Sequence, residues 1–329
     1  MKKFLIRGIG FLIPLLVIFM TVFLVDPYNL YHKGRPFSQE QYDIAYSFDQ
    51  GRRYKIITYL NHPDPFIILG ASEINLIHER NIPETGWHSL SFGGAPLQET
   101  LDLFWLIAES YEIKKIIFAP EFIKFYNACL GEFYSWNTSQ SCKAIELYNN
   151  KLDYLWDKNV IRSSFYGLTS QIGLVNDKNK PQMTKEEFWG HQLSYGESQF
   201  SQTVSEGAFQ KVMSRIQEMA DYCQQHNIEV SVVIPAQHDD LIKVEYGEVS
   251  YPVYREYLSR LVDLYGKVYF FDYPNRLTNN AELFSDPFHF TVDSLYIDTL
   301  WRGNETDCLI FESEADLCVL DSIRNTNHI

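Results

Sequence analysis

Apolar and polar positions fall in short blocks along most of the chain, and the blocks predict strands and helices by turns. Phe66-Ile67-Ile68-Leu69 is an apolar run that ends at Gly70-Ala71-Ser72-Glu73. It predicts a strand buried on both faces that delivers Ser72 to its carboxyl edge, with a polar segment of helical spacing after it. A weaker strand at Trp87–Phe92 leads into Gly93-Gly94-Ala95-Pro96, with Pro96 where a first helical turn accepts proline. From there Leu97, Leu101, Phe104, Trp105 and Ala108 recur at helical spacing up to Tyr111. Lys115–Ala119 is a further short strand. Glu206–His226 reads as a long amphipathic helix, Ile228–Ile234 as a β-branched strand, and Val268–Phe271 as another strand. Between the last two, Val253–Tyr265 is a helix closed by Gly266. This alternation predicts an α/β domain with a mostly parallel, doubly wound sheet. Residues 120–205 break the pattern as an insertion rich in Trp, Tyr and Asn, with helical stretches near Lys143–Trp156 and Val160–Ile172.

The amino terminus follows another rule. Lys2, Lys3 and Arg7 precede an uncharged 18-residue run, Gly8 to Val25, whose one polar side chain is Thr21. Such a run is about as long as a membrane-spanning helix, and basic residues before it place the amino end in the cytoplasm. A cleaved signal peptide is the rival reading, but no small-x-small site follows Val25. The expected organisation is a cytoplasmic stub and transmembrane anchor (1–25), a membrane-proximal connector (26–65), and one domain (66–329) carrying the insertion.

Composition narrows the function classes. With 46% hydrophobic and 21% charged residues the chain is globular, and a net charge of -14 excludes the basic footprint that nucleic-acid binding needs. If the domain lies outside the cytoplasm, the cysteines can pair: Cys129–Cys142 and Cys308–Cys318 flank short polar segments, one of three pairings that four cysteines allow. Cys223, in an amphipathic helix, reads as a buried free thiol. No Cys-x-x-Cys or Cys/His cluster points to a metal, and no cofactor is implied.

Three features fall on loops after expected strands. Ser72 is a candidate nucleophile, or simply a helix cap. Ser91-Phe92-Gly93-Gly94-Ala95 offers backbone N–H groups at a helix start, the kind of donor an oxyanion hole requires, or an ordinary turn. Asp286-Pro287-Phe288-His289 sets a carboxylate three residues before a histidine. That spacing lets Asp286 hold one ring nitrogen while the other accepts a serine proton.

Together, in this order, the three features resemble the SGNH/GDSL hydrolase superfamily. Gly-Ala-Ser-Glu-Ile and the amino-terminal run look most like its membrane-anchored D-alanyl-transfer (DltD-like) members. The resemblance spans about Phe66 to Tyr296 as a scattered frame and leaves the insertion unmatched. It implies a three-layer α/β/α, flavodoxin-like domain behind one transmembrane helix. Ser72 would be nucleophile, His289 general base and Asp286 its orienter, with the N–H groups of Ser72 and Gly94 as oxyanion donors.

It also implies a place in the bacterial cytoplasmic membrane, with the domain outside. The partners would be the bilayer, an acylated envelope polysaccharide or teichoic-type polymer, and a membrane-bound O-acyltransferase. Ala71 replaces the Asp of Gly-Asp-Ser, and Ser89 stands where an Asn opens the glycine block. Ala119-Pro120-Glu121 occupies the place of the third block, whose Asn is normally an oxyanion donor, leaving Asn127 as a substitute.

These departures point to a dedicated acyltransferase or weak esterase. The alternative is a degenerate polysaccharide-binding or assembly factor. His238 and Glu73 are further substrate-contact candidates, against readings as a solvent-facing loop residue and a helix start. Trp136, Trp156 and Trp189 are candidates for stacking on sugars, or for ordinary packing.

Overall fold

In the computed structural model the described residues are 2–31, 51–171 and 183–326, with side chains described from 12–31, 51–169 and 183–326. Residues 32–50 of the expected connector and Ile172, the end of one expected helix, lie outside them. The chain divides into two compact units, residues 1–63 with 135–181, and residues 64–134 with 182–329. Residues 135–181 of the expected insertion group with residues 1–63, and the remainder of it with the sheet.

The second unit holds the sheet. Its strands are β1 (Phe66–Gly70), β2 (Trp87–Ser91), β3 (Lys115–Ala119), β4 (Glu229–Ile234), β5 (Val268–Phe270), β6 (Phe284–Asp286), β7 (His289–Phe290) and β8 (Leu309–Phe311). Six form one sheet in the order β2-β1-β3-β4-β5-β8, parallel except for β8. The chain leaves β1 for β2 on one side and returns to β3 on the other. Hence β1 and β3 flank the point where the winding reverses, the place where open sheets bind ligands.

Both faces of the sheet are covered. Tyr296 of the helix Ser294–Arg302 is buried in one cluster with Ile68, Ile117 and Val233. The helices Leu97–Ala108, Glu206–Gln225 and Tyr251–Tyr265 pack on β1, β4 and β5. Gly266, at φ 73°, ends the last of these in the left-handed conformation that a Cβ disfavours. β6 and β7 form a separate antiparallel ribbon.

The first unit is helical. Its first helix, Lys2–Val25, contains Pro14 and stops at Asp26, which has φ 42°. The buried Asp26 carboxylate accepts the N–H groups of Leu30 (2.9 Å) and Tyr31 (2.8 Å) and the Tyr154 hydroxyl (2.9 Å). The Tyr28 N–H donates in turn to the Tyr154 oxygen at 3.1 Å. Arg53, 1% exposed, pairs with Asp157 at 2.7 Å. Among the described residues no helix is long and apolar enough to cross a membrane. The side chains of residues 2–11 lie outside that set, so the expected anchor stays with the sequence run.

The expected disulfides are not formed, since all five cysteines are free. Buried Cys308 donates its thiol to the Leu309 carbonyl at 3.2 Å, while Cys318 is exposed. Cys142 turns toward Glu146 at 3.8 Å on its own helix, and Cys129 belongs to the other unit. Cys223 is a buried free thiol, and burial pushes it up to about 12.

Candidate active site

β1 ends at Gly70, in register with Ser91 of β2 and Ala119 of β3. A Cβ on Gly70 would lie 2.6 Å from Ile74 Cγ2 and 3.0 Å from the Ala119 carbonyl, so any larger residue here must push its neighbours aside. Ser72 follows, half-buried. The expected helix after it is absent. Residues 72–76 are successive turns, closed by Asn75 N–H on the Ser72 carbonyl (3.3 Å) and Ile77 N–H on that of Ile74 (3.1 Å). Ser72 therefore caps no helix.

Asp286 closes β6 and His289 opens β7, facing each other across the ribbon. His289 Nδ1 lies 2.8 and 2.7 Å from the two Asp286 carboxylate oxygens. Asp286 is buried and accepts the Phe288 N–H at 2.9 Å as well. A carboxylate against Nδ1 selects the tautomer that donates from Nδ1 and leaves Nε2 an acceptor. The His289 side chain keeps 34% of its surface exposed.

Ser72 and His289 line the same cavity, about 70 Å³ in volume. Glu73, Glu121 and Lys124 form another part of its wall, and Ile123, Gln192, Tyr195 and Phe288 the rest. The cavity holds a small group at most, well below the ~300–1,000 Å³ typical of sites that enclose whole small molecules. A larger cavity, about 260 Å³ between Leu277, Phe290 and Asp307, includes neither Ser72 nor His289 and is set aside on that chemistry.

The remaining sequence candidates fall outside the cavity lining, except Glu73. Gly94 sits at φ 65° in a turn closed by Ala95 N–H on the Phe92 carbonyl, while Phe92 N–H reaches the Gly70 carbonyl at 3.4 Å. The glycine block thus adjoins the serine turn. Asn127 is buried and donates from Nδ2 to the Tyr195 hydroxyl at 2.7 Å, so it bears on the cavity through Tyr195.

His238 is neither solvent-facing nor in the cavity wall. It is buried, with its ring 4.7 Å from that of Trp189, and its N–H holds the Pro287 carbonyl at 2.9 Å. It fastens the turn between Asp286 and His289. Burial holds its imidazole below the ordinary value, with Asp240 and Asp239 opposing. Trp189 is packed here, and Trp156 lies 4.2 Å from Phe19, ring to ring, in the first unit.

Glu73 and Glu121 of the cavity wall belong to a set of buried acids, most of which the sequence did not announce. The Glu73 N–H donates to Glu121 Oε1 at 2.7 Å, and the Glu73 carboxylate receives Gln237 Nε2 at 3.3 Å. Burial pushes the Glu73 carboxyl well above the usual range, and Glu121 and Asp272 push it further. Glu245 is raised by burial and by Asp272 beside it. Asp272, which accepts the Tyr254 hydroxyl at 2.5 Å, is itself pushed up to about 6 by burial. Among the described residues no group of His, Cys, Asp or Glu is arranged to hold a metal ion.

No protein-family model matches the sequence. A curated relative, maturase K of Arpophyllum giganteum, is 26% identical over 176 residues, covering 48% of this chain. The chain spans about a third of that relative's length.

Proposed function

We propose that this chain is a serine-dependent esterase or O-acyltransferase of SGNH type. The observation that carries this reading is that Ser72 opens on the same small cavity as a histidine already held by a buried carboxylate. His289 Nε2 takes the Ser72 proton, and Oγ attacks an acyl ester to give an acyl-enzyme. Asp286 keeps the ring oriented and stabilises the imidazolium. The Ser72 N–H and the adjoining glycine block at Gly94 serve the oxyanion. An acceptor hydroxyl then completes transfer, or water completes hydrolysis. A cavity of about 70 Å³ suits a small acyl group, with the rest of the substrate outside it.

The uncharged run Gly8–Val25 anchors the chain in a bacterial cytoplasmic membrane with the sheet unit outside. Exposed Leu12, Ile13, Leu16 and Val17 on that helix support this. The substrate is then an ester of an envelope polysaccharide or teichoic-type polymer, and a membrane-bound O-acyltransferase is the natural supplier of acyl groups. The second reading, a binding or assembly factor without catalysis, is favoured by one observation. Glu121, an acceptor, stands where the resemblance expects a donor. Labelling with a fluorophosphonate separates the two. The enzyme reading requires that Ser72 react in the folded protein and that His289→Ala abolish the reaction; an inert Ser72 leaves the binding factor.

A further inference from the structure

The serine turn has almost no regular structure of its own, so something else must hold it. Glu121 does so. It follows β3, at the point where the sheet winding reverses, and is 1% exposed. Its Oε1 accepts the Glu73 N–H at 2.7 Å, and the Ala71 N–H faces the same carboxylate. Those are the residues on either side of Ser72. The other oxygen, Oε2, is buried without a hydrogen-bond partner among the described residues. Glu121 also lines the cavity with Ser72 and His289, and its charge and that of His289 attract. A buried acid with one oxygen left unpaired is costly, and here that cost accompanies a carboxylate held against the serine turn.

We infer that Glu121 is a positioning residue, holding the Ser72 turn through its flanking N–H groups. This rests on Ser72 being the nucleophile. Because the Glu73 N–H is spent on Glu121, the oxyanion falls to the Ser72 N–H and to donors from the glycine block. The groups facing Glu121 are Glu73 on the serine turn, Lys124 on its own helix, His289 on the ribbon and Tyr257 on the helix Tyr251–Tyr265. Burial pushes the Glu121 carboxyl up, while Lys124, the Glu73 N–H, His289 and the Ala71 N–H pull it back.

The test is the rate of fluorophosphonate labelling of the full chain at a single pH, for wild type, Glu121→Gln, Glu121→Asp and Glu121→Ala, with thermal melts as fold controls. Glu121→Gln keeps a carbonyl oxygen for the Glu73 N–H and should label at near the wild-type rate. Glu121→Ala leaves that N–H without its acceptor and should label at least tenfold more slowly. Should the alanine variant fail to fold, Glu121→Asp decides, since its shorter side chain withdraws the oxygen from the Glu73 N–H and should slow labelling likewise. Wild-type rates in the folded alanine or aspartate variant overturn the inference while leaving Ser72 a nucleophile. No labelling of the folded wild-type chain defeats the nucleophile reading itself, and Glu121's role with it.

Discussion

The two halves of the candidate site are held in opposite ways. In the histidine half the working pair is local: Asp286 and His289 are three residues apart, face each other across a two-stranded ribbon and bond directly, with His238 only clasping Pro287 between them. The serine half is assembled from a distance. Its turn is fastened by Glu121, 48 residues away, and squeezed against Ile74 and Ala119 at Gly70. A local device survives changes elsewhere in the fold, whereas a turn held from a neighbouring strand depends on the sheet being correct around it.

The largest expected effect is on the local half. Asp286→Asn lets the ring take the wrong tautomer and should slow Ser72 labelling by roughly 10³–10⁴-fold with little change in melting temperature. An effect below tenfold would mean the ribbon does not orient the base. Gly70→Ala attacks the other half, since its Cβ would meet Ile74 at 2.6 Å. We expect a loss of about 1–3 kcal/mol in stability, measured by denaturant titration, with slowed labelling. Stability loss with labelling intact would show that the turn tolerates a shift.

A third, smaller effect separates the halves by pH. Glu73, Glu245 and Asp272 have folded-state values above their unfolded ones, so the folded chain holds protons more tightly. Their contribution is fully present below about pH 4 and is lost as pH rises through the folded values, about 6 for Asp272. Asp272→Asn cannot ionise and should flatten the fall in melting temperature between about pH 5 and 7. An unchanged slope would place the titration elsewhere. The smallest effect expected is that of reductant. With all cysteines free, dithiothreitol should leave the melt unchanged, and a maleimide should reach exposed Cys318 before buried Cys308 or Cys223.

The same contrast explains what was legible in the residues. The strand Phe66–Gly70, the helix closed by Gly266 and the Asp286–His289 pair depend on neighbours along the chain, and periodicity or spacing reveals them. Glu121 was visible only as the occupant of a place where an asparagine was expected. That it accepts from the serine turn depends on β1 and β3 being adjacent, which no local pattern states. His238 read as a loop residue because its burial comes from Trp189 and Phe284, both far off in sequence. The cysteine pairs misled because nearness in sequence says nothing about which way thiols point.

The Asp26 carboxylate gathers Leu30, Tyr31 and Tyr154 directly at the end of the first helix. The end of the helix is thereby keyed into its own unit as a shaft is keyed to a wheel, and Asp26→Ala would remove the key, releasing the helix end from Tyr154 without touching Ser72 or His289.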